Sequence, residues 1–499
     1  MNIADALLGR AKLKGSQRVL LSATAPKVLR DRLRALLSVG ATLGPCHLKK
    51  VRFTPGREGR ELNAYYDARV RRKTSEGYRV RPIVVSWRLE TNPDRREERV
   101  DLAQMQAEAI RHGVAAPFLQ LMADFPEQSM QIRVSPLDAR FHQLVRVSDP
   151  RHVCAMLADV YASGNADQHR ISEYTVTPVR YLPGKRHVLR YDPVDRAKGG
   201  TVFAKLYMGE AGACAFRVAR YAADWMAEYG EDVNCVRPLA YVAEDAVVLY
   251  PRVVGTPLSD HTQRPSGLAE WWRRAGAALC TLHHLPRALA DPLELHDFAA
   301  EIREIVQKSD HIRALLPQVG TAIDALLDRA RELHERLPQE PPTFTHGDPK
   351  SKHIWVTAGG LTVMDFDSSR LADPALDVGK FLADQQVRLY NQAGLEEANK
   401  SFLAGYALGA PNERLLRARL YQAVELVKWT IFRVQPFEHD WASRTAQLVD
   451  RAQSVINELQ LTLGVPVQPL SVHRSVNRFQ DPPQACCARP HPSAWAGGR

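Results

Sequence analysis

The stretch from His346 to Asp377 restricts what this chain can fold into more than any other. His346-Gly347-Asp348 is followed by Pro349-Lys350-Ser351-Lys352-His353 and an apolar run, Ile354-Trp355-Val356. A Gly359-Gly360 turn then leads into Leu361-Thr362-Val363-Met364-Asp365-Phe366-Asp367. Apolar, β-branched runs on either side of a glycine pair predict two short strands joined by a tight hairpin. Such a hairpin brings Asp348 and Asp365 together although they are well separated in sequence. An acid beside an incoming hydroxyl can accept or orient its proton, and an acid at a strand end can hold Mg²⁺ against phosphate oxygens. His353 follows the first acid, placed to face the same metal site.

The rest of the composition sets the frame for that hairpin. A chain of 499 residues has room for roughly three units of about 150 residues. Apolar residues at 45% and charged residues at 25% are ordinary for a globular protein with real cores, which excludes a disordered chain, a collagen and a small disulfide scaffold. No run approaches the roughly 18 apolar residues of a membrane span. Met1–Gly15 is broken by Asp5 and Arg10, so no signal peptide is expected. The net charge of +11 favours anionic partners, but the excess is spread along the chain and no nucleic-acid reader motif accompanies it. It reads as a solvated Arg-rich surface. The 7 cysteines include no Cys-x-x-Cys, so a disulfide framework is not expected and a reducing cytoplasm is.

Periodicity divides the chain. A helical period at Leu29, Leu33, Leu36 and Leu37 gives way to strands at Leu48–Thr54, Glu61–Val70 and Arg81–Arg88, then to a helix at Val100–His112. After a helix near Val153–Tyr161, strands resume at Tyr174–Tyr181, His187–Tyr191 and Thr201–Tyr207, followed by a helix at Gly212–Tyr229. Beyond Gly255 helices dominate to about Leu463, apart from the acidic hairpin. From Val465 no periodicity survives, so a disordered tail is expected over 464–499. The two strand triplets echo one another. Arg52-Phe53-Thr54-Pro55-Gly56-Arg57 recurs as Arg180-Tyr181-Leu182-Pro183-Gly184-Lys185, and in the third strands Ser86 stands where the second copy has Lys205. If the echo is a duplication, the first copy has lost its cation and is a structural or lid module.

Taken together, the motifs of 343–380 resemble the aminoglycoside phosphotransferase and choline kinase family of small-molecule kinases, relatives of protein kinases. That family carries His-Gly-Asp, four residues, Asn, and then Ile-Asp-Phe or Ile-Asp-Trp. Here Met364 replaces the Ile and His353 replaces the Asn, and Ala372-Asp373-Pro374-Ala375-Leu376-Asp377 matches the trailing Gly-Asp-Pro-x-x-Asp without its Gly. The resemblance implies an α+β, protein-kinase-like two-lobe fold with a small β-rich lobe at 171–255 and a helical catalytic lobe at 256–463. An additional α+β N-terminal module with the degenerate repeat would occupy 1–170. It also implies ATP and Mg²⁺, with Asp348 as catalytic base, His346 supporting its loop, and Asp365 and His353 holding metal.

Upstream, Lys205 would grip the phosphates. The Pro183–Arg186 turn would cover them through Gly184 and Lys185, though it lacks a multiple-glycine pattern. The carbonyl of Pro251 and the N–H of Val253 would hold adenine. The acidic partner of Lys205 stays open among Glu210, Asp224 and Glu228. Trp271 and Trp272 are read as packing, His283-His284 as helix-end residues, and Cys486-Cys487 as free thiols. The expected activity is transfer of the γ-phosphoryl group to a hydroxyl or amine of a sugar, aminoglycoside or choline-like acceptor. The alternative is a weakly active or inactive kinase-like nucleotide-binding protein.

Overall fold

The computed structural model describes residues 25–467 apart from 55–60, 74–76, 89–94, 127–129, 164–172, 196–198, 262–267, 288–292, 389–393 and 435–439. The Pro55-Gly56-Arg57 turn, Cys486-Cys487 and nearly all of the expected tail lie outside the described residues.

The first five strands are β1 (Thr42–Thr54), β2 (Glu61–Arg71), β3 (Arg79–Arg88), β4 (Met122–Phe125) and β5 (Met130–Val134). They form one antiparallel sheet in the order β1-β2-β3-β5-β4. Helices α1 (Ala25–Arg34) and α2 (Arg95–Arg111) cover one face, packing Leu29, Leu33, Leu102, Met105 and Ala109 against Ala64, Val85 and Trp87. β1 begins at Thr42 rather than at Leu48. It is an edge strand, so its polar residues His47 and Lys50 can pair through the backbone at the margin of the sheet, with a register irregularity at Lys49.

After α3 (Gln143–Arg146) and α4 (Pro150–Ser163) come β6 (Tyr174–Leu182), β7 (Arg186–Pro193), β8 (Val202–Leu206), α5 (Ala211–Tyr229), β9 (Val233–Cys235), β10 (Ala240–Val242) and β11 (Val247–Pro251). The second sheet runs β6-β7-β8-β11-β10, the same order as the first by position in the chain. The pairing register also agrees: Ser86 sits opposite Asn63, and Lys205 opposite Val188. The connecting helices differ. α2 lies on the Val85 and Trp87 face of its sheet, whereas α5 lies on the Lys205 face, with Gly212 against Tyr241 and Tyr207. The opposite face of the second sheet, with Ala204 and Leu249, is closed by α4 and by Tyr65 and Val84 of the first sheet.

The helical region comprises α6 (Leu268–His283), α7 (Phe298–Lys308), α8 (Asp310–Leu315), α9 (Pro317–Arg336), α10 (Pro374–Arg388), α11 (Leu395–Ala407), α12 (Asn412–Phe432) and α13 (Trp441–Thr462). Its core holds Trp272, fully buried and edge-on to Phe381, which stacks on Phe402 at 4.0 Å; this is the packing role expected of the tryptophan pair. α6 and α11 touch backbone to backbone, since a Cβ on Gly405 would lie 1.8 Å from the carbonyl oxygen of Arg273. Between the regions run β12 (Thr256–Pro257), β13 (Leu295–His296), β14 (Thr343–Thr345), β15 (Ile354–Thr357), β16 (Gly360–Val363) and β17 (Arg370–Ala372). β15 and β16 form the expected hairpin, and β12 and β9 flank it, so the hairpin is fastened to the segments leading out of both α5 and β11. The architecture is α+β, a β-rich region followed by a helical one. Among the described residues no helix is long and apolar enough to cross a membrane.

Candidate active site

β14 delivers His346-Gly347-Asp348 into a loop that returns through the 3₁₀ turn Ser351–His353 to β15. The loop is held from beneath. Asp377, fully buried at the start of α10, accepts the N–H of His346 at 2.6 Å and that of Gly347 at 2.9 Å. Burial works against its charge, but the bond from His283 at 3.2 Å outweighs this and keeps the carboxyl low. His283 is thus more than a helix-end residue. Gly347 has a φ of +75°, and a Cβ there would lie 1.8 Å from the carbonyl oxygen of Ser368, so only glycine fits. His346 accepts the N–H of Asp348 at Nδ1 (3.3 Å) and donates from Nε2 to the carbonyl of Met364 (3.0 Å), tying the two acidic segments together.

Asp348 and Asp365 therefore stand at the two ends of one braced hairpin. Lys350, almost wholly buried, donates to Asp348 Oδ1. Burial opposes ionisation of Asp348, but Lys350 and then Lys380 outweigh it and hold the carboxyl well below the usual carboxylate range. Burial pushes Lys350 itself down to about 8, with Asp348 resisting.

Asp365 has a φ of +72°, a backbone position that non-glycine residues adopt only where the surroundings impose it. Its Oδ1 accepts from Lys205 Nζ at 2.7 Å, and its Oδ2 is 3.4 Å from His353 Nε2. Burial pushes His353 down to about 3, so its ring is neutral near pH 7. Its Nδ1 donates to the carbonyl of Asp348 at 2.9 Å, which leaves the Nε2 lone pair facing the carboxylate. Two acceptors facing each other across that gap suit a bound cation. Mg²⁺ on a nucleotide needs only one or two carboxylates, with phosphate oxygens and water completing its shell. The residues present fit that ion, the imidazole less well than the acids.

Lys205 answers the question of its own partner. Its amine also lies 3.3 Å from Asp367, which accepts from the Tyr207 hydroxyl at 2.7 Å and faces Arg186 at 3.5 Å. Burial works against the ammonium, but Asp367 and Asp365 outweigh it and raise its pKa. The candidate acids near α5 are not used: Asp224 pairs with Arg237, and none of the three bonds Lys205.

Residues 196–421 match the family described as the phosphotransferase enzyme family. This segment is similar to that family. It spans β8 with Lys205, the acidic hairpin and the first part of α12. Three solved structures resembling the phosphotransferase region are a choline/ethanolamine kinase family protein from Mesorhizobium loti, a choline kinase from Cryptosporidium parvum and a macrolide 2′-phosphotransferase from Brachybacterium faecium. The first is 16% identical, covering 62% of this chain and 98% of its own, with a TM-score of 0.43. The second is 13% identical over 63% and 97%, at 0.43. The third is 16% identical over 60% and 98%, at 0.36. No curated protein matches the chain.

The remaining expected residues are placed less centrally. The N–H of Gly184 is taken by Asp138 at 2.6 Å and its carbonyl by Arg140, so the β6–β7 turn is bound to the α3 approach. Lys185 is exposed, and it is Arg186 that reaches Asp367. Pro251 ends β11 opposite Val202, and Val253 follows in the segment to Gly255, whose Cα is pressed against the Val356 carbonyl of β15. A cavity of about 790 Å³ borders this segment, lined in part by Phe203, Pro251, Arg252 and Val254.

Proposed function

We propose that the protein transfers the γ-phosphoryl group of ATP, with Mg²⁺, to a hydroxyl or amine of a small molecule, using Asp348, Lys205, Asp365 and His353. The observation that carries this reading is the 2.7 Å contact between Lys205, from the second sheet, and Asp365, from the hairpin that also carries Asp348. Asp365 and His353 would hold Mg²⁺, which would supply charge neutralisation to the nucleotide phosphates. Lys205 would exchange its hold on Asp365 for the nucleotide phosphates while Asp367 and Tyr207 keep its amine in line. Asp348, ionised throughout the working pH range, accepts the hydrogen bond of the acceptor hydroxyl and orients it toward phosphorus. Its low pKa makes it an orienting group first and a proton acceptor late in the transfer. Lys350 supplies a second cation beside the transferred group. Pro251 and Val253 offer a backbone carbonyl and an N–H for adenine. A cytoplasmic setting suits Cys46, Cys214, Cys235 and Cys280, which form no disulfide among the described residues.

Asp348→Asn is expected to lower phosphoryl transfer by about 10²–10⁴-fold while ATP binding persists, measured by coupled turnover and by calorimetry. Undiminished turnover in this variant would sink the reading. The second reading, a nucleotide binder with little turnover, is favoured by the hold of Lys350 on Asp348. ATP binding without transfer to any of a broad acceptor panel would select it.

A further inference from the structure

Asp377 and Lys380 stand three positions apart on α10, which places them on one face of that helix. Asp377 accepts the N–H groups of His346 and Gly347, and so fixes the two peptides that lead toward Asp348. Lys380 takes the next one. Its Nζ donates to the carbonyl of Gly347 at 2.8 Å, and that carbonyl belongs to the peptide that enters Asp348. The other end of the same peptide, the N–H of Asp348, has only the longer 3.3 Å bond to His346. Arg370 Nη2 also approaches the Gly347 carbonyl, at 3.4 Å, while its Nε turns to Ser368 at 3.3 Å. The lysine supplies the short bond. Among the described residues it is the one hydrogen bond that the Lys380 amine makes.

A buried ammonium is costly unless another charge answers it. Lys380 is 9% exposed, and its ion-pair partner among the described residues is Glu425 of α12, 2% exposed, at 3.6 Å. That distance makes an ion pair without a hydrogen bond. Lys428, on the same helix as Glu425, is engaged by Glu301 and by Glu304 at 2.9 Å, and Glu301 also takes His296 at 2.6 Å. Glu425 thus balances the charge of Lys380 while the amine keeps its hydrogen bond for the loop. If packing alone were served, a methionine of similar length would fill the space with no charge to balance. The ammonium adds two things. Its bond to a carbonyl is stronger than a neutral donor makes, and its charge helps to hold the Asp348 carboxyl low.

We propose that Lys380 is a positioning residue for phosphoryl transfer: it fixes the peptide between Gly347 and Asp348, and with it the direction in which the Asp348 carboxylate meets the acceptor hydroxyl, Glu425 serving as its counter-ion. This rests on the phosphotransferase reading of the cleft. Gly347 explains the need for the grip. A glycine at a φ of +75° is the loosest joint in the loop, and a swing there carries Asp348 with it. Asp377 alone holds the chain up to that joint. Lys380 holds it just beyond, where a misplacement of about 1 Å in an orienting group costs on the order of 10²-fold in rate.

The test reads single-turnover hydrolysis of labelled Mg²⁺-ATP by the full-length protein, with water in place of the acceptor, beside calorimetric binding of Mg²⁺-AMP-PNP and urea unfolding. Lys380→Met should lower the rate about 10–100-fold while the AMP-PNP Kd moves less than about threefold. Lys380→Met combined with Glu425→Leu removes both charges, so it should recover the unfolding midpoint and still leave the rate low. In an Asp348→Asn background, Lys380→Met should lower the rate no further, because it acts through that carboxylate. A wild-type rate in either Lys380 variant, or a further full loss in the Asp348→Asn background, overturns the proposal. Failure of both Lys380 variants to fold assigns the lysine to structure and overturns it as well. Hydrolysis that falls in Asp348→Asn keeps the phosphotransferase reading standing whatever Lys380→Met does.

Discussion

The two five-stranded sheets share strand order and register, yet only the second sends a lysine to the acidic hairpin. At corresponding positions the first has Ser86, fully buried and bonded to Asn63 at 2.6 Å, and the second has Lys205, reaching across to Asp365 and Asp367. The difference lies less in the strands than in what covers them. In the second sheet, α5 shares the lysine face but stops short of closing it, and the acidic hairpin fills the opening. In the first, the face bearing Asn63 and Ser86 also bears Tyr65 and Val84, which pack against Phe141, Leu144 and Tyr181. A lysine there would have no carboxylates or water to meet. The face that the connecting helix leaves open decides whether such a sheet can receive a hairpin from elsewhere in the chain.

The largest effect is expected at the joint between the sheets. Asp138 is buried and binds His187 Nε2 and the Gly184 N–H, both at 2.6 Å. Asp138→Ala strands a buried histidine and should destabilise the fold by about 3–5 kcal/mol in chemical denaturation. A loss below about 1 kcal/mol would mean the sheets are not mutually dependent. Next comes the contrast itself. Lys205→Met should lower turnover by about 10²–10³-fold with the fold intact, as expected when a preorganised cation is removed from a transition state. Ser86→Ala should leave turnover alone and cost only about 1 kcal/mol of stability. Comparable turnover losses in both would erase the asymmetry between the sheets.

The smallest effect concerns pH. Lys350, pushed down to about 8, is cationic below that value and neutral above it. Turnover that uses its charge should hold below about pH 8 and fall roughly tenfold per unit as pH rises beyond. Lys350→Arg, which stays charged, should remove that alkaline limb. A wild-type profile flat to pH 10 would take Lys350 out of the mechanism.

The acidic hairpin was legible because its elements are adjacent in sequence: the turn glycines, the apolar runs and the two acids set their own geometry. Lys205 was legible from its strand once that hairpin suggested what to seek. Its partner was not. Sequence order points to the acids near the following helix, whereas Asp367 comes from the opposite region, and no local pattern reports a contact across so many intervening residues. The support of Asp377 by His283 escaped for the same reason, as did the grip of Lys350 on Asp348, which depends on burial rather than spacing. The turn at Gly184 was read as a phosphate cover from its composition alone. The competing demand of Asp138 on its backbone N–H is a tertiary fact.

That demand has a mechanical outcome. With the β6–β7 turn, His187 and the Tyr181 hydroxyl all fastened to residues 137–138, the first sheet cannot shift independently of the second. The two sheets are therefore joined as a single leaf, and a strain applied to one of them is felt by the other.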